Sequence, residues 1–98
     1  METYVILRRG GWRTAADLEE AAARSTAEGD RMPDDIAWIR SYVLSEPDGS
    51  VGTVCIYQAS SPEAVRAHAT AADLPVDEII PVADTVIVRP DPQAVAAS

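Results

Sequence analysis

Two β-rich runs of nearly equal length face each other across one sharp turn, and this pair limits the possible folds more than any other feature. Ile36-Ala37-Trp38-Ile39-Arg40-Ser41-Tyr42-Val43-Leu44 and Val51-Gly52-Thr53-Val54-Cys55-Ile56-Tyr57-Gln58-Ala59 flank Pro47-Asp48-Gly49-Ser50. Proline pre-sets its own φ, glycine supplies a positive φ, and aspartate can bond its own backbone, so these four residues reverse the chain. An antiparallel hairpin follows. In its first run Ile36, Trp38, Tyr42 and Leu44 share one side with Arg40, while Ala37, Ile39 and Val43 share the other with Ser41. A sheet covered on one face alone carries polar residues on its other face. This hairpin is apolar on both, so it needs cover on both.

Each flank of the hairpin supplies one helix and one strand. Tyr4-Val5-Ile6-Leu7 reads as a first strand, ended by Gly10-Gly11. Thr14-Ala15-Ala16-Asp17 forms a capping box with Thr14 as N-cap. The helix it opens is expected from Asp17 to about Ala27, closed by Glu28-Gly29-Asp30. Its stripe of Leu18, Ala21, Ala22 and Ser25 holds a single large apolar residue. Ser61-Pro62-Glu63 opens a second helix, with Ser61 as N-cap and Pro62 at the first helical position. That helix runs from Ala64 to about Ala72 with Val65, His68, Ala69 and Ala72 on one face, and Leu74-Pro75 ends it. Pro81 cannot donate to a ladder, so the last paired strand is expected at Thr85–Val88, with Ile79–Val82 an edge or separate piece.

Strand, helix, strand, strand, helix, strand is the ferredoxin-like βαββαβ order of an α+β domain. It forms a four-stranded antiparallel sheet with both helices on one face. Residues 1–90 make the domain and 91–98 a flexible tail. The two-faced strands imply that a second copy covers the face away from the helices. The expectation is a homodimer through the sheet face, of the dimeric α+β barrel type.

The 98 residues carry a net charge of −8, and all eight basic residues are arginine. An acidic chain without a basic run lacks the footprint of a phosphate-backbone binder, so nucleic acid is not an expected partner. The lack of lysine excludes Schiff-base chemistry, and a membrane partner has no polybasic stretch to engage. No apolar run reaches the length of a membrane span, and the stretch Met1–Gly10 is too short and wrongly flanked for a signal peptide. The single cysteine, Cys55, cannot form an internal disulfide. A cytoplasmic protein is expected. A single histidine, His68, excludes any site that needs two histidines from one chain.

Four short stretches carry a family resemblance: Trp38-Ile39-Arg40-Ser41-Tyr42-Val43, Cys55-Ile56-Tyr57, Ser61-Pro62-Glu63-Ala64-Val65-Arg66 and Leu74-Pro75-Val76-Asp77-Glu78-Ile79. In this order they resemble a small bacterial ferredoxin-like family of otherwise unknown function that includes a nickel-responsive, nickel-binding protein. The resemblance implies the ferredoxin-like fold, and nickel or another transition metal as a cofactor with His68 at the first ligand position. In members of the nickel-binding type a second histidine follows within the same helix, and relatives carry a histidine before Ser-Tyr-Val. Here Ala72 and Arg40 stand at those positions, and neither can ligate a metal.

The candidate pocket residues are His68, Trp38, Arg40, Tyr42, Cys55 and Tyr57, and no catalytic residue is assigned. Trp38, Arg40 and Tyr42 alternate along one strand and are expected on one side. An arginine between two aromatic rings can hold a carboxylate or phenolate. Its stem can equally cover apolar surface while its head meets an acid of the partner chain. His68 is expected to face the sheet, as a metal or haem ligand, a general base, or a core histidine with one hydrogen bond. Cys55 shares a face with Thr53 and Tyr57 and reads as a small buried hydrophobe. Trp12 suits a pocket lid or a dimer anchor. The acids from Asp17 to Glu20 suit the positive end of a helix dipole. The function expected is a small dimeric binding or accessory domain for a small ligand. The alternative is a small cofactor-independent monooxygenase-like or haem-binding enzyme with a pocket between sheet and helices, a reading that rests on fold analogy.

Overall fold

A computed structural model describes residues 1–92, and the end of the expected tail, residues 93–98, lies outside the described residues. The elements follow the order β1 (Glu2–Trp12), α1 (Ala15–Asp30), β2 (Ile36–Ser45), β3 (Val51–Ala59), α2 (Pro62–Ala72) and β4 (Glu78–Pro81). The four strands form one antiparallel sheet in the order β2-β3-β1-β4. This is the ferredoxin-like arrangement the element order predicts.

Strand register sorts the side chains. Tyr4 lies opposite Tyr57, Ile6 opposite Cys55 and Arg8 opposite Thr53, and all six are buried on the helix side. Ile79 of β4 joins the same side opposite Ile6. Onto this layer the helices lay Ala21 and Ser25 from α1, and Val65, His68, Ala69 and Ala72 from α2. The apolar cluster of Tyr4, Ile6, Ile36, Cys55, Tyr57, Ala59 and Val65 is the core.

Both helix starts form as their residues dictate. Thr14 Oγ1 accepts from the Asp17 N–H at 3.2 Å, and Ser61 Oγ accepts from the Ala64 N–H at 3.1 Å. Helix α1 runs further than expected, through Glu28-Gly29 to Asp30, and its last carbonyls, Glu28 and Gly29, accept from the Arg31 N–H. Gly29 lies inside the helix, where an added Cβ would make only ordinary contacts, with His68 Nε2 at 3.7 Å and Ile36 at 3.9 Å.

Two strand expectations need correction. Strand β1 does not stop at Gly10-Gly11. A register slip between Arg8 and Trp12 absorbs the glycines as a bulge, Gly10 takes φ +56°, and pairing resumes with Trp12 opposite Val51. Glu46 ties the bulge to the hairpin, accepting from the Gly10 N–H at 2.6 Å and from Arg9 Nη2 at 2.8 Å. The final strand is Glu78–Pro81, not Thr85–Val88. It pairs only with β1, at the sheet edge, so Pro81 removes no bond to a further strand. Beyond Val82 the described chain forms no strand, and Val86, Ile87 and Val88 are 85%, 77% and 78% exposed.

The second face of the sheet is apolar as well. Val5, Leu7, Leu44, Val54 and Ile56 lie there half-buried, with Tyr42 and Ile80 exposed. Among the described residues no helix covers them. No helix is long and apolar enough to cross a membrane.

Candidate functional site

A bulge in β2 decides what lies in the site. Trp38 pairs with Tyr57, but Arg40 pairs with Ile56, so Ile39 is an extra residue in the ladder. Trp38 therefore faces the helices while Arg40 and Tyr42 point to the open face. The expectation that Trp38, Arg40 and Tyr42 share one side is thereby overturned. A bulge shifts the phase of alternation by one residue. The Trp38 indole N–H bonds Ser41 Oγ at 2.8 Å across the bulge.

On the helix side, the bulge and the alanine-rich stripe of α1 leave a cavity of about 420 Å³. Leu18, Ala21, Ala22 and Ser25 form its roof, and Trp12, Trp38, Cys55 and Tyr57 line it from below. The cavity follows from side-chain size: three small residues in the stripe cannot reach β2. Trp38 and Tyr57 stack with ring centroids 6.0 Å apart and planes 7° from parallel, which gives one wall an extended aromatic surface. A second cavity of about 450 Å³ adjoins it beyond Ser25 and Trp38 and is bordered by Gly29, Ile36 and His68.

The polar groups here are few and buried. Arg8 is 1% exposed, borders the first cavity, and donates from Nη1 to the Pro75 carbonyl at 2.6 Å. Its Nη2 is buried with no hydrogen-bond partner, and no described carboxylate forms an ion pair with it. Tyr57 Oη and Ser25 Oγ lie 2.9 Å apart. Burial first, with Cys55 adding to it, raises the Tyr57 phenol above its ordinary value, and the Ser25 bond and the nearby Arg8 guanidinium only partly oppose that. His68 Nε2 lies 2.9 Å from the Ser25 carbonyl, which can only accept, so Nε2 carries the proton. His68 Nδ1 is buried without a partner. The Cys55 thiol donates to Thr53 Oγ1 at 3.3 Å.

Of the residues singled out in the sequence, Trp38, Cys55 and Tyr57 meet in the first cavity and His68 borders the second. Tyr42 borders neither. Arg40 touches the rim at the bulge, but its guanidinium is paired with Asp91, whose other oxygen accepts from Tyr42 Oη at 2.8 Å. The acid that meets Arg40 in this chain is its own Asp91. The Tyr42 hydrogen bond first, and the Arg40 bond after it, hold the Asp91 carboxyl below the usual range. Trp12 lines the cavity at 8% exposure. Arg8 was not among the sequence candidates. Its phase with Tyr4 and Ile6 would have placed it inside, had β1 been continued past Leu7.

A split βαβ sheet carrying a cavity under its first helix defines a ferredoxin-like domain with room for a small molecule. The chain belongs to the family of nickel responsive proteins, SCO4226-like, whose model matches residues 4–82. It is also similar to the crystal structure of SCO4226 from Streptomyces coelicolor A3(2), with 21% identity and a TM-score of 0.66 over 86% of this chain and 99% of that one. At that identity the likeness shows the fold. No curated protein matches the chain.

The donor set of this chain does not suit the metal in the family's description. Nickel takes imidazole and thiolate ligands readily. Among the described residues no three His, Cys, Asp or Glu side chains lie together. His68 spends Nε2 on Ser25 and is 1% exposed, too deep to share a metal across an interface. Cys55 is buried against Thr53.

Proposed function

We propose that this chain is a non-catalytic binding domain that holds one small, largely apolar molecule between α1 and the β2–β3 hairpin. The observation that carries the reading is the cavity of about 420 Å³ bordered by Trp12, Trp38 and Tyr57. Close-packed interiors hold few voids larger than a water molecule, whereas ligand pockets run from about 300 to 1,000 Å³. The contacts of His68 and Cys55 favour binding over catalysis, because each makes its polar contact with a structural neighbour and not with the other. Titration with the neutral fluorophore N-phenyl-1-naphthylamine, read by energy transfer from the two tryptophans, tests this. Saturable binding tighter than about 100 µM is expected. A linear, unsaturable response would remove the reading.

The binding unit in this reading is a homodimer. The face opposite the helices presents Val5, Leu7, Val54 and Ile56, and the same chain holds out Val86-Ile87-Val88 almost fully exposed. An uncovered apolar face and a β-branched segment without a strand partner are complementary, and two copies offer each to the other. Light scattering should give a mass twice that of the chain. The substitution Ile56→Asp should halve it, and a monomeric wild type would contradict this part of the reading. The free, buried Cys55 suits a reducing cytoplasm.

A further inference from the structure

The cavity contains one feature that a purely apolar ligand would leave unexplained. Arg8 is a permanent cation at 1% exposure, and it has no acidic partner among the described residues. All 16 Asp and Glu residues of the chain lie within those residues, and none of them pairs with Arg8. An uncompensated buried charge is among the most destabilising arrangements a core can hold, and it persists where something else on the molecule requires it. Nη1 finds an acceptor, the Pro75 carbonyl, and that bond anchors Arg8 at the cavity wall. Nη2 has no hydrogen-bond acceptor among the described residues, although the guanidinium lies close enough to the Tyr57 hydroxyl to act on it.

We propose that the ligand of this cavity is an organic anion: a planar apolar body carrying one carboxylate, which accepts a hydrogen bond from Arg8 Nη2. This rests on the binding reading above and adds the charge and chemical class of the ligand. The aromatic wall of Trp38 on Tyr57 takes the flat body, and the alanine roof of α1 leaves room for it. A charge-assisted bond between guanidinium and carboxylate is about twice as strong as a neutral one, and the burial of Arg8 limits its screening. The acids of the chain, net −8, give an anion no long-range attraction, so selectivity for it must come from this one buried group.

Two probes of the same shape test the proposal, 1-naphthaleneacetate and its neutral amide, measured by calorimetry on the full chain at pH 7. The carboxylate should bind the wild type at least about tenfold more tightly than the amide. In Arg8→Met that ratio should collapse to about one, and Arg8→Lys should restore part of it. The wild-type ratio stands even if Arg8→Met fails to fold. Equal affinities for the two probes in the wild type would overturn the anion proposal and leave the cavity reading intact, with solvent as the partner of Nη2. A carboxylate preference that persists in a folded Arg8→Met protein would also overturn it. Failure of both probes, together with failure of N-phenyl-1-naphthylamine, would remove the cavity reading and the proposal together.

Discussion

Arg8 donates to the carbonyl of Pro75, 67 residues further along the chain, at 2.6 Å. The bond joins the first strand to the loop after α2, and it fixes a cation at the wall of the cavity. It also leaves the second terminal nitrogen of Arg8 without a partner. Polar groups buried in this way are normally paired.

Filling the cavity should separate binding from folding. Ala22 lines the space from α1 and is half-buried. In Ala22→Leu the added side chain occupies the cavity, so probe affinity should fall at least about tenfold while stability stays within about 1 kcal/mol of wild type or rises. Fluorescence titration beside thermal unfolding reads both quantities.

The bulge of β1 depends on a residue with no side chain. A Cβ on Gly52 would lie 2.7 Å from the Arg8 carbonyl oxygen and 3.0 Å from the Gly10 nitrogen, both backbone atoms that cannot swing aside. Gly52→Ala should therefore destabilise by about 1–3 kcal/mol, as overpacking does. Urea unfolding at unchanged m-value is the check.

Docking of the C-terminal segment should depend on acid. Asp91 is held below the usual carboxylate range by Tyr42 and Arg40, so its contribution is fully present above the ordinary value, near 3.9. It is lost as pH falls through the lowered value. The amide resonances of residues 86–91 should stay in place at pH 5 and shift as the pH drops below about 4. In Asp91→Asn the shift should be absent.

Tyr57 gives the opposite slope. Burial raises its phenol, so the folded state keeps the neutral form, and that stability is complete below the ordinary tyrosine value near 10. It is lost as pH rises from there through the raised value. Tyr57→Phe keeps the ring but removes the partner of Ser25 Oγ, at about 1 kcal/mol near neutrality. Its stability should fall less steeply above pH 10 than the wild type's, as measured by denaturant unfolding.

The hairpin and both helix starts are legible because their signals are local. Pro47-Asp48-Gly49 turns the chain wherever it stands, and Thr14 and Ser61 cap whatever helix follows. The bulge at Ile39 is not legible, because pairing with β3 decides it and no residue type in β2 marks it. That one extra residue moved Arg40 and Tyr42 out of the expected site. Arg8 was overlooked because Gly10-Gly11 suggested a strand end, although glycine serves a bulge equally well. At the last strand, the missing N–H of Pro81 pointed to Thr85–Val88, but the edge of β1 accepts Glu78–Pro81 in spite of its proline, because no further strand needs that donor.

Nuclear magnetic resonance mapping of N-phenyl-1-naphthylamine on the isotopically labelled protein tests the central claim most directly, because the chain offers an apolar probe two places to go. Binding in the cavity should shift the indole N–H signals of Trp12 and Trp38 and the amides of Leu18 to Ser25. Shifts confined to Val5, Leu7, Val54 and Ile56, on the opposite face of the sheet, would contradict it.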